Sequence, residues 1–156
     1  MTFRLCAALA LLTVAAGCDG FSGEEQRLFE DTAYLGASDG VTADDWRVGP
    51  VLGSRVQVLR AASPNPARLR GDDGRGETVS LQLYADEAPG GFVLYRRTPQ
   101  GGLEPIQALA GVSGPNIYTF NFFAGEASAT GTVGSVRLVV TDGLERVVTY
   151  GDLVLR

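Results

Sequence analysis

The stretch Thr-Val-Ser-Leu-Gln-Leu-Tyr-Ala, residues Thr78 to Ala85, alternates apolar and polar side chains without a break. Val79, Leu81 and Leu83 fall on one side of this segment, and the polar side chains fall on the other. A period of two residues is typical of a β-strand that has one buried face and one face in solvent. We therefore expect a half-buried strand here, with the three aliphatic side chains pointing inward.

Similar segments follow from residue 55 to the end of the chain, separated by turn-forming residues. The predicted strands are Arg55–Arg60, Thr78–Ala85, Phe92–Arg97, Leu103–Leu109, Ile117–Phe123, Gly134–Thr141 and Arg146–Leu155, the last interrupted near Gly151 and Asp152. Pro105 cannot donate a ladder hydrogen bond, so its strand suits a sheet edge. About seven short strands at this spacing predict a mainly β chain that forms a single antiparallel sandwich.

The segment Val136-Arg137-Leu138-Val139-Val140-Thr141-Asp142-Gly143 resembles the penultimate strand and turn of immunoglobulin-like domains. The order of strands from about residue 55 onward is similar to bacterial immunoglobulin-like or fibronectin-III-like domains. The cysteine pair of antibody domains is absent, so the resemblance implies an architecture alone. Folds of this kind host many functions, and the fold does not choose among them.

The amino terminus has the pattern of a secretory signal. Arg4 is followed by an apolar run from Leu5 to Ala16, which is too short for the about 20 residues of a membrane-spanning helix. The run ends Ala15-Ala16-Gly17-Cys18, and this resembles the lipobox of bacterial lipoproteins. An ordinary secretory signal, with Cys18 following small residues by chance, is the alternative.

The lipobox resemblance implies cleavage between Gly17 and Cys18, a thioether-linked diacylglycerol on Cys18, and usually an N-acyl chain on its new amino group. Two or more acyl chains give stable membrane anchoring, whereas one chain gives marginal binding. The membrane lipid is then one partner, and we expect a cell-envelope location with the outer membrane favoured over the inner. Asp19 points the other way, because aspartate after the lipidated cysteine retains lipoproteins at the inner membrane in enterobacteria.

Three regions follow from these observations: a signal peptide over 1–17, a lipidated tether over 18–54, and a β-sandwich domain over 55–156. Within the tether, Ser22 and Glu25 form a capping-box pattern ahead of Leu28, Phe29, Ala33 and Leu35. A short helix over about 23–34 is expected. It would either cover part of the domain or dock to a partner.

The composition excludes much chemistry. The chain has no histidine, all 13 basic residues are arginine, and its only cysteines are Cys6 and Cys18. Centres of the Ser-His-Asp or Cys-His kind and Schiff-base lysines cannot be built, and Cys/His zinc sites lack ligands. A net charge of −5 with scattered arginines argues against nucleic-acid binding. We expect a non-catalytic protein with no cofactor and no metal.

Two features could still bind a ligand. Asp72, Asp73 and Glu77 gather three carboxylates in a glycine-rich loop, which either binds calcium or forms a solvated turn. Trp46 lies in a polar segment and either offers a stacking platform to a carbohydrate or plugs one end of the core. An enzyme that uses paired carboxylates is a further alternative.

The segment Pro64-Asn65-Pro66 resembles the opening of type IX secretion sorting domains, which are also small C-terminal β-sandwiches. The resemblance implies a sorting-domain-like module, although only about 45 residues separate Cys18 from the motif. The alternative is structural, since each proline fixes its own φ and keeps the chain before it out of a helix. The first expectation remains a structural or protein-interaction module with an unidentified envelope partner.

Overall fold

The computed structural model describes residues 40–41, 45–49, 52, 55–70, 75–88, 90–128 and 130–156. The predicted signal peptide and the predicted helix over 23–34 lie outside these residues. The described chain contains seven strands and one short helix. They are β1 (Val56–Ser63), β2 (Thr78–Ala85), β3 (Phe92–Arg97), β4 (Leu103–Leu109), β5 (Asn116–Phe123), α1 (Ala124–Ala127), β6 (Gly134–Asp142) and β7 (Val147–Leu155).

The strands form two antiparallel sheets that pack as a sandwich. The first sheet has the order β1-β2-β5 and the second has the order β4-β3-β6-β7. The mainly β prediction is therefore confirmed, and every predicted strand is present. Strand β4, which carries Pro105, lies at an edge of the second sheet as expected.

The alternating side chains of β2 are the centre of the core. Val79, Leu81 and Leu83 have no exposed surface, and Phe120 of the neighbouring β5 is equally buried. From the second sheet, Phe92 meets Tyr118 edge-on at a ring-centroid distance of 4.8 Å. Each fully buried aliphatic or aromatic side chain contributes about 1.5–3 kcal/mol relative to an exposed one. This two-sided apolar packing holds the sheets together.

Strand β7 does not leave a bare sheet edge. Trp46 N donates to the Tyr150 carbonyl at 2.7 Å, and Val48 forms an antiparallel bridge with Thr149. Farther along, Ala67 forms a parallel bridge with Leu155. Two short segments thus pair with the edge of β7 that β6 does not occupy. They cover an open edge that could otherwise pair with a strand of another molecule.

The Pro64-Asn65-Pro66 segment carries the chain from β1 in the first sheet to the edge of β7 in the second. The Asn65 amide nitrogen donates to the Asp152 carbonyl at 2.8 Å, and its amide oxygen accepts from Val154 N at 2.9 Å. The side chain of Asn65 therefore takes two strand-like hydrogen bonds between the two flanking bridges. This motif has a structural role in the sandwich.

The predicted interruption of the last strand is wrong, because β7 runs unbroken from Val147 to Leu155. Glycine usually weakens a strand. At position 151, however, the Cβ of any other residue would overlap the Trp46 indole. Asp152 is a poor strand former in solution, but here it forms a buried ion pair with Arg137. Both apparent strand breakers are explained by tertiary contacts.

Thr149 of β7 provides a test of the core. Its side chain is fully buried, and its Oγ1 has no hydrogen-bond partner among the described residues. An unsatisfied buried hydroxyl costs about 1–3 kcal/mol. We expect Thr149→Val to raise the free energy of unfolding by about 1 kcal/mol, measured by urea denaturation. Thr119→Val, on a half-buried side chain that Gln82 contacts at 3.3 Å, is the control and should bring no gain. A loss of stability in Thr149→Val would contradict the conclusion that the Thr149 hydroxyl is buried without a hydrogen-bond partner.

Candidate functional site

The most concentrated polar arrangement described is an ion pair between β6 and β7. The register places Arg137 opposite Asp152. The Nε and Nη2 atoms of Arg137 donate to Oδ1 and Oδ2 of Asp152 at 2.9 and 3.1 Å. The side chains are only 8% and 0% exposed, respectively. Two parallel charge-assisted bonds of this kind fix both the position and the orientation of the partners.

This pair lies on the face of the second sheet that points away from the core, which we call the outer face. Leu138 and Val140 belong to the core, so the alternating Arg137 and Val139 point the other way. The Arg137 guanidinium lies over the Tyr150 ring, 5.3 Å from its centroid. Oδ2 of Asp152 also accepts a hydrogen bond from the backbone N–H of Gly40 at 3.1 Å.

The chemistry available to this pair is structural. Both oxygens of Asp152 accept hydrogen bonds, and the Arg137 guanidinium is held between this carboxylate and an aromatic ring. A buried carboxylate is stable when hydrogen-bond donors occupy its oxygens. Removing one partner of the pair leaves a buried charge without a counter-charge, which is destabilising. This pair was not predicted from the sequence. Its signal was a charged residue beside aliphatic side chains in each strand, Arg137 between Val136 and Leu138 and Asp152 before Leu153.

Trp46 lies in the core, with 8% of its surface exposed. Its indole packs against Gly151, and no stacking face is presented to solvent. The side chain thus occupies the place that the core-plug interpretation gives it. The arginine–ring contacts described in the structure are Arg75 over Phe123 and Arg137 over Tyr150.

The acidic loop is described only at its end. Oε2 of Glu77 accepts a hydrogen bond from Arg68 N at 3.0 Å, so this carboxylate helps to close the loop. Asp72 and Asp73 lie outside the described residues, as do Gly17 and Cys18. Within the described part of the chain, no three Asp, Glu, Cys or His side chains gather in a way that could hold a metal ion.

A hollow of about 890 Å³ opens at one end of the sandwich, between the loops that connect strands. Its floor is apolar, with Val56, Ala88 and Phe92 almost fully buried beneath it. Leu144, which lines the hollow, is 74% exposed. The hollow thus combines an apolar floor and an exposed leucine with the charged side chains of Arg55, Glu87 and Arg146 in its lining.

Asp142 and Arg146 stand at the rim of this hollow and stabilise the turn into β7. Asp142 accepts hydrogen bonds from the backbone N–H groups of Leu144 and Arg146, and Arg146 Nη2 lies 2.6 Å from its Oδ2. Partial desolvation raises the pKa of the Asp142 carboxyl, but the bonds from Arg146 and Leu144 outweigh it and lower the pKa below its usual value. This carboxylate is committed to the turn.

A second hollow of about 350 Å³ reaches Arg137 from the opposite end of the sandwich. Its lining includes Arg97, Thr98, Ser128 and Thr132. Several of these groups already bond to one another, since the Ser128 hydroxyl accepts from Thr132 N at 3.1 Å. This hollow is small, its lining mixes polar and apolar side chains, and the residues that line it include hydroxyl groups but no carboxylate or imidazole.

Among the residues that the structure describes, no helix has the length and apolar character needed to span a bilayer.

Comparisons with known proteins assign no family to the chain. No family model matches it, and no curated protein sequence matches it. Among solved structures, a β-D-glucoside glucohydrolase from Trichoderma reesei is similar over 65% of this chain and 18% of its own, with 13% identity and a TM-score of 0.39. The chain thus spans less than one fifth of that enzyme. A similarity of this size carries no conclusion about activity.

The Arg137–Asp152 pair is open to a direct test. We expect Asp152→Asn to lower the free energy of unfolding by about 3–5 kcal/mol, because it leaves the Arg137 charge buried without a counter-charge. The double variant Arg137→Met with Asp152→Leu should recover most of that loss, since apolar groups of similar volume replace both charges. Chemical denaturation measures both. A mild effect of Asp152→Asn alone would contradict a buried structural pair.

Proposed function

We propose that this protein is a lipid-anchored component of the bacterial cell envelope that acts without catalysis, as a structural or protein-interaction module. The observation that carries this proposal is the sequence Ala15-Ala16-Gly17-Cys18 directly after a twelve-residue apolar run. Cys18 would carry the diacylglycerol and the N-acyl chain. We place the protein at the outer membrane rather than the inner one, with an envelope protein as its partner.

The domain that the anchor would hold is best placed among immunoglobulin-like sandwiches of the fibronectin-III kind. Seven antiparallel strands divided into sheets of three and four support this placement. Two short segments paired to β7 are further support, because they protect an edge as such domains require. Modules of this architecture serve as spacers and as interaction surfaces on many unrelated proteins.

Two observations support a role in contact rather than in catalysis. Arg137 and Asp152 form a buried ion pair with each other, and the chain has no histidine or lysine. The end hollow instead combines a buried apolar floor with an exposed leucine, Leu144. We propose this end of the sandwich as the contact surface for the partner.

The alternatives have weaker support. A carbohydrate platform at Trp46 would need the indole in solvent, but the indole lies in the core. A sorting-domain role for Pro64-Asn65-Pro66 has no support beyond the motif, since Asn65 is already used in bonds to β7. Calcium would have to use Asp72 and Asp73 with Glu77, whose carboxylate already binds the Arg68 amide.

The anchor is tested by Cys18→Ala, with Cys6→Ala as the matched control. We expect the Cys18→Ala protein to incorporate no radiolabelled fatty acid and to lose its mature membrane-bound form, because no thiol remains to accept the diacylglycerol. The Cys6→Ala protein should be labelled and anchored normally. Fatty-acid labelling of cells followed by membrane fractionation measures both. Labelling of the Cys18→Ala protein would overturn the proposal.

The calcium alternative is tested by thermal melting of the lipid-free chain. A ligand that binds only the native state raises the Tm. Because the proposed function involves no calcium site, we expect the same Tm with 5 mM calcium, 5 mM magnesium or chelator. A rise in Tm with calcium alone would favour the ligand-binding function. If Asp72→Asn and Asp73→Asn then abolished that rise, the acidic loop would be identified as the site.

A further inference from the structure

Two arginines are direct neighbours at the end of the sandwich where β7 finishes. Ala67 forms a parallel bridge with Leu155. The backbone pairing continues one residue further, because Arg156 N donates to the Ala67 carbonyl at 3.0 Å and Leu69 N donates to the Arg156 carbonyl at 2.8 Å. This pattern sets Arg68 directly beside Arg156. Like charges on directly opposed positions destabilise a sheet, so the pairing has a cost.

A third arginine, Arg70, lies on the same side as this pair. Ala67 and Leu69 are buried in the core, whereas Arg68 and Arg70 are exposed, as side-chain alternation along an extended segment requires. Arg156 is exposed in the same way after the buried end of β7. Within the described part of the chain, no carboxylate forms an ion pair with any of these three guanidinium groups. Three cationic groups are therefore held together without a counter-charge from these residues.

The three arginines surround a hollow of about 770 Å³. Its other lining includes Leu69 and Val133, and Val133 is 68% exposed. No described residue that lines this hollow is acidic. We call this surface the basic end, and it consists of Arg68, Arg70, Val133 and Arg156. Apolar and cationic groups side by side in one concave surface match an anion that has an apolar part.

The two ends of the sandwich differ in charge. The hollow beside Leu144, at the opposite end, is lined by two arginines and two carboxylates, so its charges balance: Arg55, Glu87, Asp142 and Arg146. The basic end is positive although the chain as a whole has 18 acidic and 13 basic residues. Glu77, which binds the Arg68 amide, does not line the hollow. Because charges are screened beyond about 10 Å at 0.1 M salt, an approaching surface responds to the local charge rather than to the net charge.

We propose that the basic end binds the phosphate groups of anionic membrane lipids, with Val133 in contact with the apolar part of the lipid layer. The guanidinium group is planar and presents paired N–H donors that match phosphate oxygens. Each basic side chain near an anionic bilayer strengthens binding about fivefold. An exposed valine beside these groups favours a lipid, because a fully hydrophilic anion would gain nothing from it.

The site would also orient the domain. If the chain is anchored through Cys18 as proposed, the basic end would face the bilayer. The opposite end, with Leu144, would then point away from the membrane and toward the protein partner. This orientation rests on the proposed function. The lipid site itself does not, and it can be tested on a chain without an anchor, so failure of the site is separate from failure of the anchor.

The first test uses residues 18–156 with Cys18→Ala and measures co-sedimentation with phosphatidylcholine vesicles, with or without about 30% phosphatidylglycerol. Three arginines predict binding about 100-fold stronger to the anionic vesicles at low salt. Arg68→Gln with Arg70→Gln should weaken that binding about 25-fold. Arg55→Gln with Arg60→Gln removes the same charge from two exposed arginines elsewhere and is the matched control, with less than a threefold effect expected.

Equal binding to the two kinds of vesicle would overturn the proposal, as would equal weakening by the two double variants. Asp72 and Asp73, which follow Arg70 closely in the sequence, lie outside the described residues, and the measurement includes their charges because it uses the chain that contains them. Inorganic phosphate at constant ionic strength distinguishes a lipid from a free anion. It should not displace the vesicles, and displacement at millimolar phosphate would assign the arginines to a soluble anion instead.

A spectroscopic measurement serves if an arginine variant fails to fold. In the Cys18→Ala chain, Val133→Cys provides a single thiol for an environment-sensitive fluorophore. Anionic vesicles should shift its emission to the blue, because the label at the basic end enters a less polar medium. Leu144→Cys, at an equally exposed position at the opposite end, is the control and should show no shift. No shift at position 133, or equal shifts at both positions, would also overturn the proposal.

Discussion

The structure depends most on the carboxylate and backbone of Asp152, a fully buried position at the middle of β7. Its two carboxylate oxygens accept hydrogen bonds from Nε and Nη2 of Arg137 and from the N–H of Gly40. Its backbone carbonyl accepts a hydrogen bond from the Asn65 side chain. One residue thereby joins three remote parts of the chain to the same strand. A buried charge is costly unless its partners are all in place. The position therefore holds Gly40, the Pro64-Asn65-Pro66 segment and β6 against β7.

The sandwich itself was predictable because its signals are local. Alternation in the predicted strands Thr78–Ala85 and Ile117–Phe123 places inward the same side chains that the core contains. The position of Pro105 indicated an edge strand, and that strand is at the edge. What could not be read from the sequence was pairing across distance. Arg137 and Asp152 look like a charge in an apolar strand and a strand breaker, until the register sets them opposite each other.

The candidate site was less predictable than the fold for the same reason. Trp46 in a polar segment suits either a binding platform or a plug, and only its contact with Gly151 decides which environment the indole has. The Pro64-Asn65-Pro66 motif suggested either transport or rigidity, and the bonds of Asn65 to β7 could not be inferred from three residues. Cys18 stands apart, because its proposed lipidation rests on the sequence alone.

The bond between Gly40 and Asp152 also determines how the domain would respond to pulling. Tension that arrives along the amino-terminal chain is delivered to the middle of β7, and through Arg137 to β6, rather than to the end of a strand. The load is then shared by the paired strands β6 and β7 instead of separating one hydrogen bond after another. If the chain is anchored through its amino terminus as proposed, a pull on the anchor would meet the interior of the second sheet before it meets a strand end.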